Sequence, residues 1–417
     1  MRRQIILALA TAVFLITTGL AGGAQNTDQI VQLGGAIYKD TNLSINANQS
    51  CMTCHHPSSG YADPANRVDP ILLPVSEGSI LGLFGGRNAP SAGYAGFSPI
   101  LDYDPIEGLW IGGMFWDGRA TGWTTPKEDP LAEQALGPFL NPVEMALDKA
   151  TVIRIIEASD YATLFIKVFG PDAFSNVDKA YAYVGEAIAA YERSKNLNKF
   201  NSKFDKFWAE QGMDVETFGV DVDGYYDYDP ADFKSSHLTQ QEAYGLALFN
   251  AVNKGNCAAC HLTKNYTDTT TGTEYAPLFT DFSYDNLGIP ANPQITVLAG
   301  PQPIDYGLGK TLVDLEIIDG IELPKDIYSS DTIYIAENEA GKFKVPTLRN
   351  VARSAPYGHN GFFATLLDIT HFYNTRDIVD WPDPEVDLNL NNEELGDLKL
   401  TPDEEAAIVA FMNTLTD

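Results

Sequence analysis

Two pentads of this 417-residue chain carry residues that could do chemistry, "CMTCH" from Cys51 to His55 and "CAACH" from Cys257 to His261. A Cys-x-x-Cys pair serves as a redox dithiol, as half of a zinc site or, when His follows, as the attachment point of haem c. All four cysteines lie in these two motifs, which leaves none to staple the fold. Histidine is scarce, 6 residues in 417, so its place behind both pairs selects haem attachment. The spacing suits that chemistry: two thiols reach two vinyl-derived carbons on one porphyrin edge, and the next imidazole swings under the iron as proximal ligand. Two covalently bound haem c groups are expected, on Cys51 and Cys54 and on Cys257 and Cys260. His55 and His261 are the expected proximal ligands, with His56 a bystander.

Such motifs need elements to position them. "QIVQLGGAIYKDTNLS" precedes the first and "LTQQEAYGLALFNAVNKGN" the second; both read as helical lead-ins, the latter opened by a capping box of Thr239 and Glu242. Two halves that begin alike suggest a duplicated module. Apolar positions at Val184, Ile188, Tyr191, Phe200, Phe204 and Phe207 predict one long or broken helix that closes the first half. The acidic, aromatic stretch 213–237 reads as a linker. Its "DVDG" is not a calcium loop, because Gly219 and Pro230 stand where ligands would be required. Residues 61–130 and 262–345 are Gly-, Pro- and Asn-rich and predict long loops, and "TPDEEAAIVAFMNTL" predicts a terminal helix with Thr401 as N-cap. The fold class is mainly α with long irregular loops, divided as a leader over 1–24, an N-terminal unit over 25–212, a linker over 213–237 and a C-terminal unit over 238–417 whose end packs back on the first.

The leader "MRRQIILALATAVFLITTGLAGGAQ" has a basic start, an apolar run from Ile5 to Leu20 and small residues up to Ala24. That layout predicts a secretory signal cleaved before Gln25, with an uncleaved anchor as the alternative, and places the mature protein in the periplasm. No later stretch is apolar for long enough to span a bilayer. Loss of Arg2 and Arg3 takes the formal charge from -29 to -31. A surface this acidic excludes nucleic acid as a partner and favours basic or neutral proteins.

"LSINANQSCMTCH", "GRNAPS", "FWDGRA", "EQALGPFLNPVEM" and "FKVPTLRNVARSAPYGHNGFFATL" occur in order over about residues 33 to 376. Together they resemble the bacterial dihaem cytochrome c peroxidases and their MauG relatives. The resemblance implies two cytochrome-c-type haem domains with one calcium ion between them. It also implies a peroxide-reactive N-terminal haem and a C-terminal haem that relays or stores oxidising equivalents. A histidine beyond the proximal one blocks the N-terminal haem of conventional members. Here Ile71 stands at that offset, and no histidine occurs from Arg67 until His237, so an open haem that accepts hydrogen peroxide directly is expected, as in MauG.

By the same resemblance Glu144 is the general acid/base of peroxide cleavage, Gln134 a second polar group and Pro138 the wall between them. Tyr373 stands where conventional members carry the methionine ligand of the second haem, and a phenolate there would stabilise higher oxidation states. His371 and Met412 remain alternatives to it. Trp116 is the relay between the haems, and the insertion "TGWTTPKEDP" lengthens the stretch that follows it. Asn88, Ser354 and Pro356 map onto the calcium ligands, and Arg87 onto a partner for a haem propionate. Two functions compete: a MauG-type oxidase that draws electrons from an aromatic residue of a partner protein, and a peroxide-detoxifying cytochrome c peroxidase fed by a small cytochrome or copper protein. A dihaem electron carrier without peroxide chemistry is disfavoured, since it has no use for a proton-managing pair such as Gln134 and Glu144.

Overall fold

The computed structural model describes residues 17–231, 233–268, 271–319 and 338–417. Residues 1–16 of the expected leader lie outside the described residues. The first half comprises α1 (Thr17–Lys39), α2 (Cys51–Cys54), α3 (Pro64–Val68), α4 (Pro130–Leu140), α5 (Lys149–Glu157), α6 (Ala162–Phe169) and α7 (Val177–Glu192). The second comprises α8 (Lys203–Glu210), α9 (Gln240–Asn250), α10 (Pro293–Ala299), α11 (Gly307–Asp319), α12 (Leu366–Thr375) and α13 (Pro402–Asn413). Strands are short and paired antiparallel: β1 (Asp102–Asp104) with β2 (Leu109–Ile111), β3 (Tyr266–Thr267) with β4 (Glu274–Tyr275), and β5 (Tyr284–Asp285) with β6 (Phe343–Lys344). The chain is mainly α, and among the described residues no helix is long and apolar enough to cross a membrane.

Each half is organised by one close helix crossing, and glycine makes both possible. A Cβ on Gly34 of α1 would stand 1.8 Å from the carbonyl oxygen of Ala187 and 2.9 Å from Cβ of Tyr191, both on α7. A Cβ on Gly245 of α9 would stand 1.9 Å from the carbonyl oxygen of Ala407 and 2.9 Å from Cβ of Phe411, both on α13. The lead-in helix of each motif is thereby locked to the closing helix of its own half.

Around these crossings lie separate apolar cores. Leu33, Ile37, Phe139, Phe165, Val184 and Ile188 fill the first; Leu246, Phe249, Phe279, Ile408 and Phe411 belong to the second. Each such side chain withdrawn from water contributes about 1.5–3 kcal/mol. Local signals start the helices: Thr239 and Glu242 form a reciprocal capping box at α9, as do Thr401 and Glu404 at α13 and Thr365 and Asp368 at α12.

The helical stretch 177–210 takes the broken form, divided between α7 and α8. One expectation changes: α8 does not close the first half, because Phe204 and Phe207 are buried in the second core. Residues 213–237 connect the halves without being a loose tether. Val215 is buried in the second core, with Phe218, Tyr226 and Phe233 packed against it. In the "DVDG" stretch Asp221 accepts backbone N–H groups from Asp223 and Tyr225, a turn made by its own side chain.

The halves meet along the "FWDGR" loop. The Gly112 N–H donates to the Phe282 carbonyl at 3.0 Å, the Lys344 N–H to the Trp116 carbonyl at 2.8 Å, and the Asn88 N–H to the His359 carbonyl at 2.8 Å. Arg87 bridges Asp117 of the first half and Asp305 of the second, each at 2.6 Å. At the chain end the Tyr94 hydroxyl donates to the Asp417 carboxylate at 2.5 Å, fastening the terminus to the first half.

Candidate functional site

Both histidines sit in cradles of the same design. His55 caps α2 and donates Nδ1–H to the Tyr61 carbonyl at 3.1 Å; His261 donates Nδ1–H to the Phe279 carbonyl at 2.9 Å. That bond fixes the tautomer and leaves Nε2 as the free lone pair, the form that binds iron. Burial lowers both imidazole pKa values and keeps the rings neutral. The two acceptors share a further oddity: Tyr61 and Phe279 have φ of 64° and 56°, a left-handed conformation that aromatic residues rarely adopt. Each opens an aromatic-x-Asp tripeptide, "YAD" and "FTD", whose Asp63 and Asp281 act on the imidazoles, and the carbonyls of Pro90 and Pro346 lie beside them. This internal repeat was readable in the sequence and is the signal that could have identified both cradles.

The four thiols are unpaired, and burial raises all of them, Cys257 to about 12. A cavity of about 260 Å³ opens beside the second motif. Cys257, Cys260, His261, Tyr373 and Met412 line it, as do Trp116, Lys344 and His359. Thiols and a free imidazole nitrogen facing a largely apolar space fit a haem c. The first motif offers the same donor set, with Gln49 Nε2 within 3.5 Å of Cys54 Sγ.

Tyr373 and His371 separate cleanly. Tyr373 lines the cavity, and burial is the main cause that raises its phenol. His371, on the same helix α12, is 46% exposed and pairs through Nδ1 with Glu405 at 2.9 Å. Met412 is buried and lines the cavity as well.

Glu144 follows α4 and accepts a hydrogen bond from Asn141 Nδ2 at 2.6 Å. Burial raises its pKa against the opposing pulls of Asn141 and Arg119, so its carboxyl can hold a proton at higher pH than usual. It is close enough to the first motif to act on both Cys51 and Cys54. Gln134 and Pro138 lie on α4 itself. Arg119 stacks 3.7 Å over the Phe115 ring, which in turn lies 3.3 Å from a Cβ built on Gly137 of that helix. The "FWDGR" loop thus brings Arg119 within reach of Glu144 and sets Phe115 against α4, while Phe115 and Trp116 both line the second cavity. Trp116 is tethered there by its indole N–H, which donates to the Asn88 carbonyl at 2.9 Å.

Asn88, Ser354 and Pro356 all line that cavity. Asn88 Nδ2 is bound to the Pro74 carbonyl at 2.9 Å, which turns its Oδ1 into the free acceptor end. Arg87, expected beside a haem propionate, is held by Asp117 and Asp305. Sequence reasoning missed two further cavity residues. Burial pushes Lys344 down to about 7 against the charge of Asp281, and its Nζ donates to the Gly112 carbonyl at 2.8 Å. His359 is 4% exposed, stacks at 3.5 Å on Phe343 and leaves both ring nitrogens without a hydrogen-bond partner. Its Nε2 faces the Glu385 carboxylate at 3.7 Å, beyond hydrogen-bond range, so this edge of the cavity is polar.

Residues 28–213 match the family model described as di-haem cytochrome c peroxidase. The chain is 33% identical to the methylamine utilization protein MauG of Paracoccus denitrificans, over 97% of this chain and 93% of that protein. A cytochrome-c peroxidase of Denitromonas iodatirespirans is 26% identical over 94% and 83% of the two chains. Among solved structures, the diheme peroxidase BthA of Burkholderia thailandensis superposes with a TM-score of 0.70 at 29% identity, covering 93% of this chain and 86% of that one.

Proposed function

Because this chain belongs to the di-haem cytochrome c peroxidase and MauG family, and is thus a haem peroxidase, we propose that it reacts with hydrogen peroxide at the N-terminal haem and oxidises an aromatic residue of a partner protein. The two halves are read as cytochrome-c-type domains, one haem c in each, the second haem relaying or storing oxidising equivalents. Their matched histidine cradles and helix crossings support that reading. The leader over residues 1–24 supports work in the periplasm.

Bound haem c supplies the iron that cleaves peroxide and retains its oxidising power. The chain supplies the proton handling. Glu144 takes the proton of one peroxide oxygen and returns it to the departing one, and burial, which raises its pKa above the ordinary carboxylate value, favours the protonated form that the second step needs. The Gln134 amide offers a hydrogen bond to the water that leaves. Trp116, tethered to Asn88 and Lys344 at the seam of the two halves, is the aromatic step between the sites. A calcium ion at Asn88 Oδ1 and the carbonyls of Ser354 and Pro356, completed by water, would brace that seam.

The observation that carries the MauG-like reading is the place of Tyr373 in the cavity of His261, while His371 is engaged by Glu405. A phenolate supplied by Tyr373 would lower the potential of a bound haem iron and would favour retention of oxidising equivalents over fast turnover with a cytochrome. Relatives named cytochrome-c peroxidase support the second reading, detoxification with electrons from a small cytochrome or copper protein. The deciding experiment mixes the all-ferric, haem-loaded protein with one equivalent of peroxide in stopped flow without reductant. An immediate change of the haem bands is expected. No change until one haem is reduced would overturn the open-site reading, and rapid turnover with reduced cytochrome c would select detoxification.

A further inference from the structure

The loop that carries Trp116 touches a second aromatic series, which leads away from the haem cavity to the surface. The Tyr284 hydroxyl on β5 donates to the Gly112 carbonyl at 2.6 Å, and a Cβ on Gly118 would lie 2.4 Å from that hydroxyl oxygen, so the phenol is pressed against the loop. Tyr284 and Trp110 of β2 share one buried cluster with Leu101, Leu308 and Leu312. Trp110 pairs across the hairpin with Tyr103 of β1, their ring centroids 5.6 Å apart. The inserted "TGWTTPKEDP" seals this cluster, because Trp123 packs on it and its indole N–H donates to the Leu101 carbonyl at 3.0 Å. The hairpin then ends in the open, with Ile106 89% exposed.

Proton bookkeeping assigns each ring a part. Tyr284 hydrogen-bonds a carbonyl, which cannot accept its proton, so it serves as a bridge and not as a resting place for oxidation. Trp110 is 3% exposed and its indole N–H has no acceptor, so the ring keeps its proton when it loses an electron. Tyr103 is only partly buried and can release its phenolic proton to water.

We propose that Tyr103 and Trp110 form an electron-entry path that leads from the surface of the β1–β2 hairpin to the loop of Trp116, with Tyr103 as the residue at which an external donor's electrons enter. Tyr103 loses one electron and, to solvent, one proton; the electron passes through Trp110 and past Tyr284 to the oxidised centre beside Trp116; one electron from the donor and one proton from solvent then restore Tyr103. Two such transfers, with two protons taken up, reduce one peroxide to two waters. The inference rests on the proposed peroxide reaction, which supplies the oxidant.

The test treats the haem-loaded protein with peroxide and a spin trap, without donor, and maps trap adducts by peptide mass spectrometry. Tyr225 and Tyr306, 51% and 41% exposed, serve as controls for oxidation that follows exposure alone. Tyr103 is expected to carry the label in preference to both, and Trp110→Phe to remove it while peroxide consumption with a small-molecule donor continues. Labelling of Tyr103 no greater than that of Tyr225, or unchanged in Trp110→Phe, would overturn the proposal. Tyr103→Phe, a milder change at the hairpin surface, gives a second check: an undiminished total of trapped radical would also overturn it. A wild-type protein that consumes no peroxide at all would instead sink the functional reading beneath it.

Discussion

Glu192 ends α7 with its side chain 4% exposed and its Oε2 without a hydrogen-bond partner. Burial outweighs the pull of Arg193 and pushes its pKa from 4.5 to about 8. By linkage that gap is worth about 5 kcal/mol between the folded and unfolded chains. The folded value is the raised one, so the fold accommodates the neutral acid. Its contribution to stability is full below about pH 4.5 and is lost as pH rises towards 8, above which a bare carboxylate stays buried at full cost. Glu192→Gln keeps the shape and removes the titration. In urea unfolding at about pH 5 and about pH 8.5, the wild type should lose several kcal/mol more across the interval than the variant does. Comparing the two losses cancels any fixed cost of the amide. Equal losses would refute the reasoning, and would mean that the carboxylate finds water or a cation once it ionises.

Glu144→Gln should slow peroxide turnover by about 10²–10⁴-fold with both haems still attached, the loss typical of a removed acid/base; unchanged kinetics would exclude the role. Tyr373→Phe should alter the spectrum of the second haem and raise its reduction potential while His371→Ala leaves both unchanged, and the reverse pattern would move the ligand to His371. Gly245→Ala should destabilise the second half by at least about 1–3 kcal/mol, because the added methyl meets the Ala407 carbonyl and not a side chain that can swing away. An unaltered melting temperature would show that α9 and α13 separate at little cost.

Features encoded within a few residues of one another were legible in the sequence. The Cys-x-x-Cys-His motifs, the capping box of Thr239 and the N-cap at Thr401 follow from local chemistry, whereas the stretch 262–345, which reads as loop, contains α10 and α11. Tyr373 is legible only through the family resemblance, which places it where conventional members carry a methionine ligand, and its side chain lines the second motif's cavity. Features set by partners far along the chain were not legible. Phe204 reads as part of a helix closing the first half, yet its ring neighbours are Phe279 and Phe411. Arg87 looks like a free cation until Asp305, 218 residues away, is brought beside it. Lys344 and His359 carry no sequence mark of their burial, since the groups that cover them, Phe282 and Tyr284 over Lys344 and Phe343 against His359, are brought there only by the fold.

The two histidine cradles have one further consequence. With the same backbone bond, the same strained aromatic and the same trailing aspartate beneath each imidazole, both irons would receive equivalent support from below. Whatever distinguishes the halves would then come from elsewhere around each site, and the proposed roles put it at Glu144 in one and Tyr373 in the other. A molecule arranged in this way can exchange tasks by editing one facing residue at a time, so an ancestral doubling of the gene would have left two interchangeable sockets for selection to specialise separately.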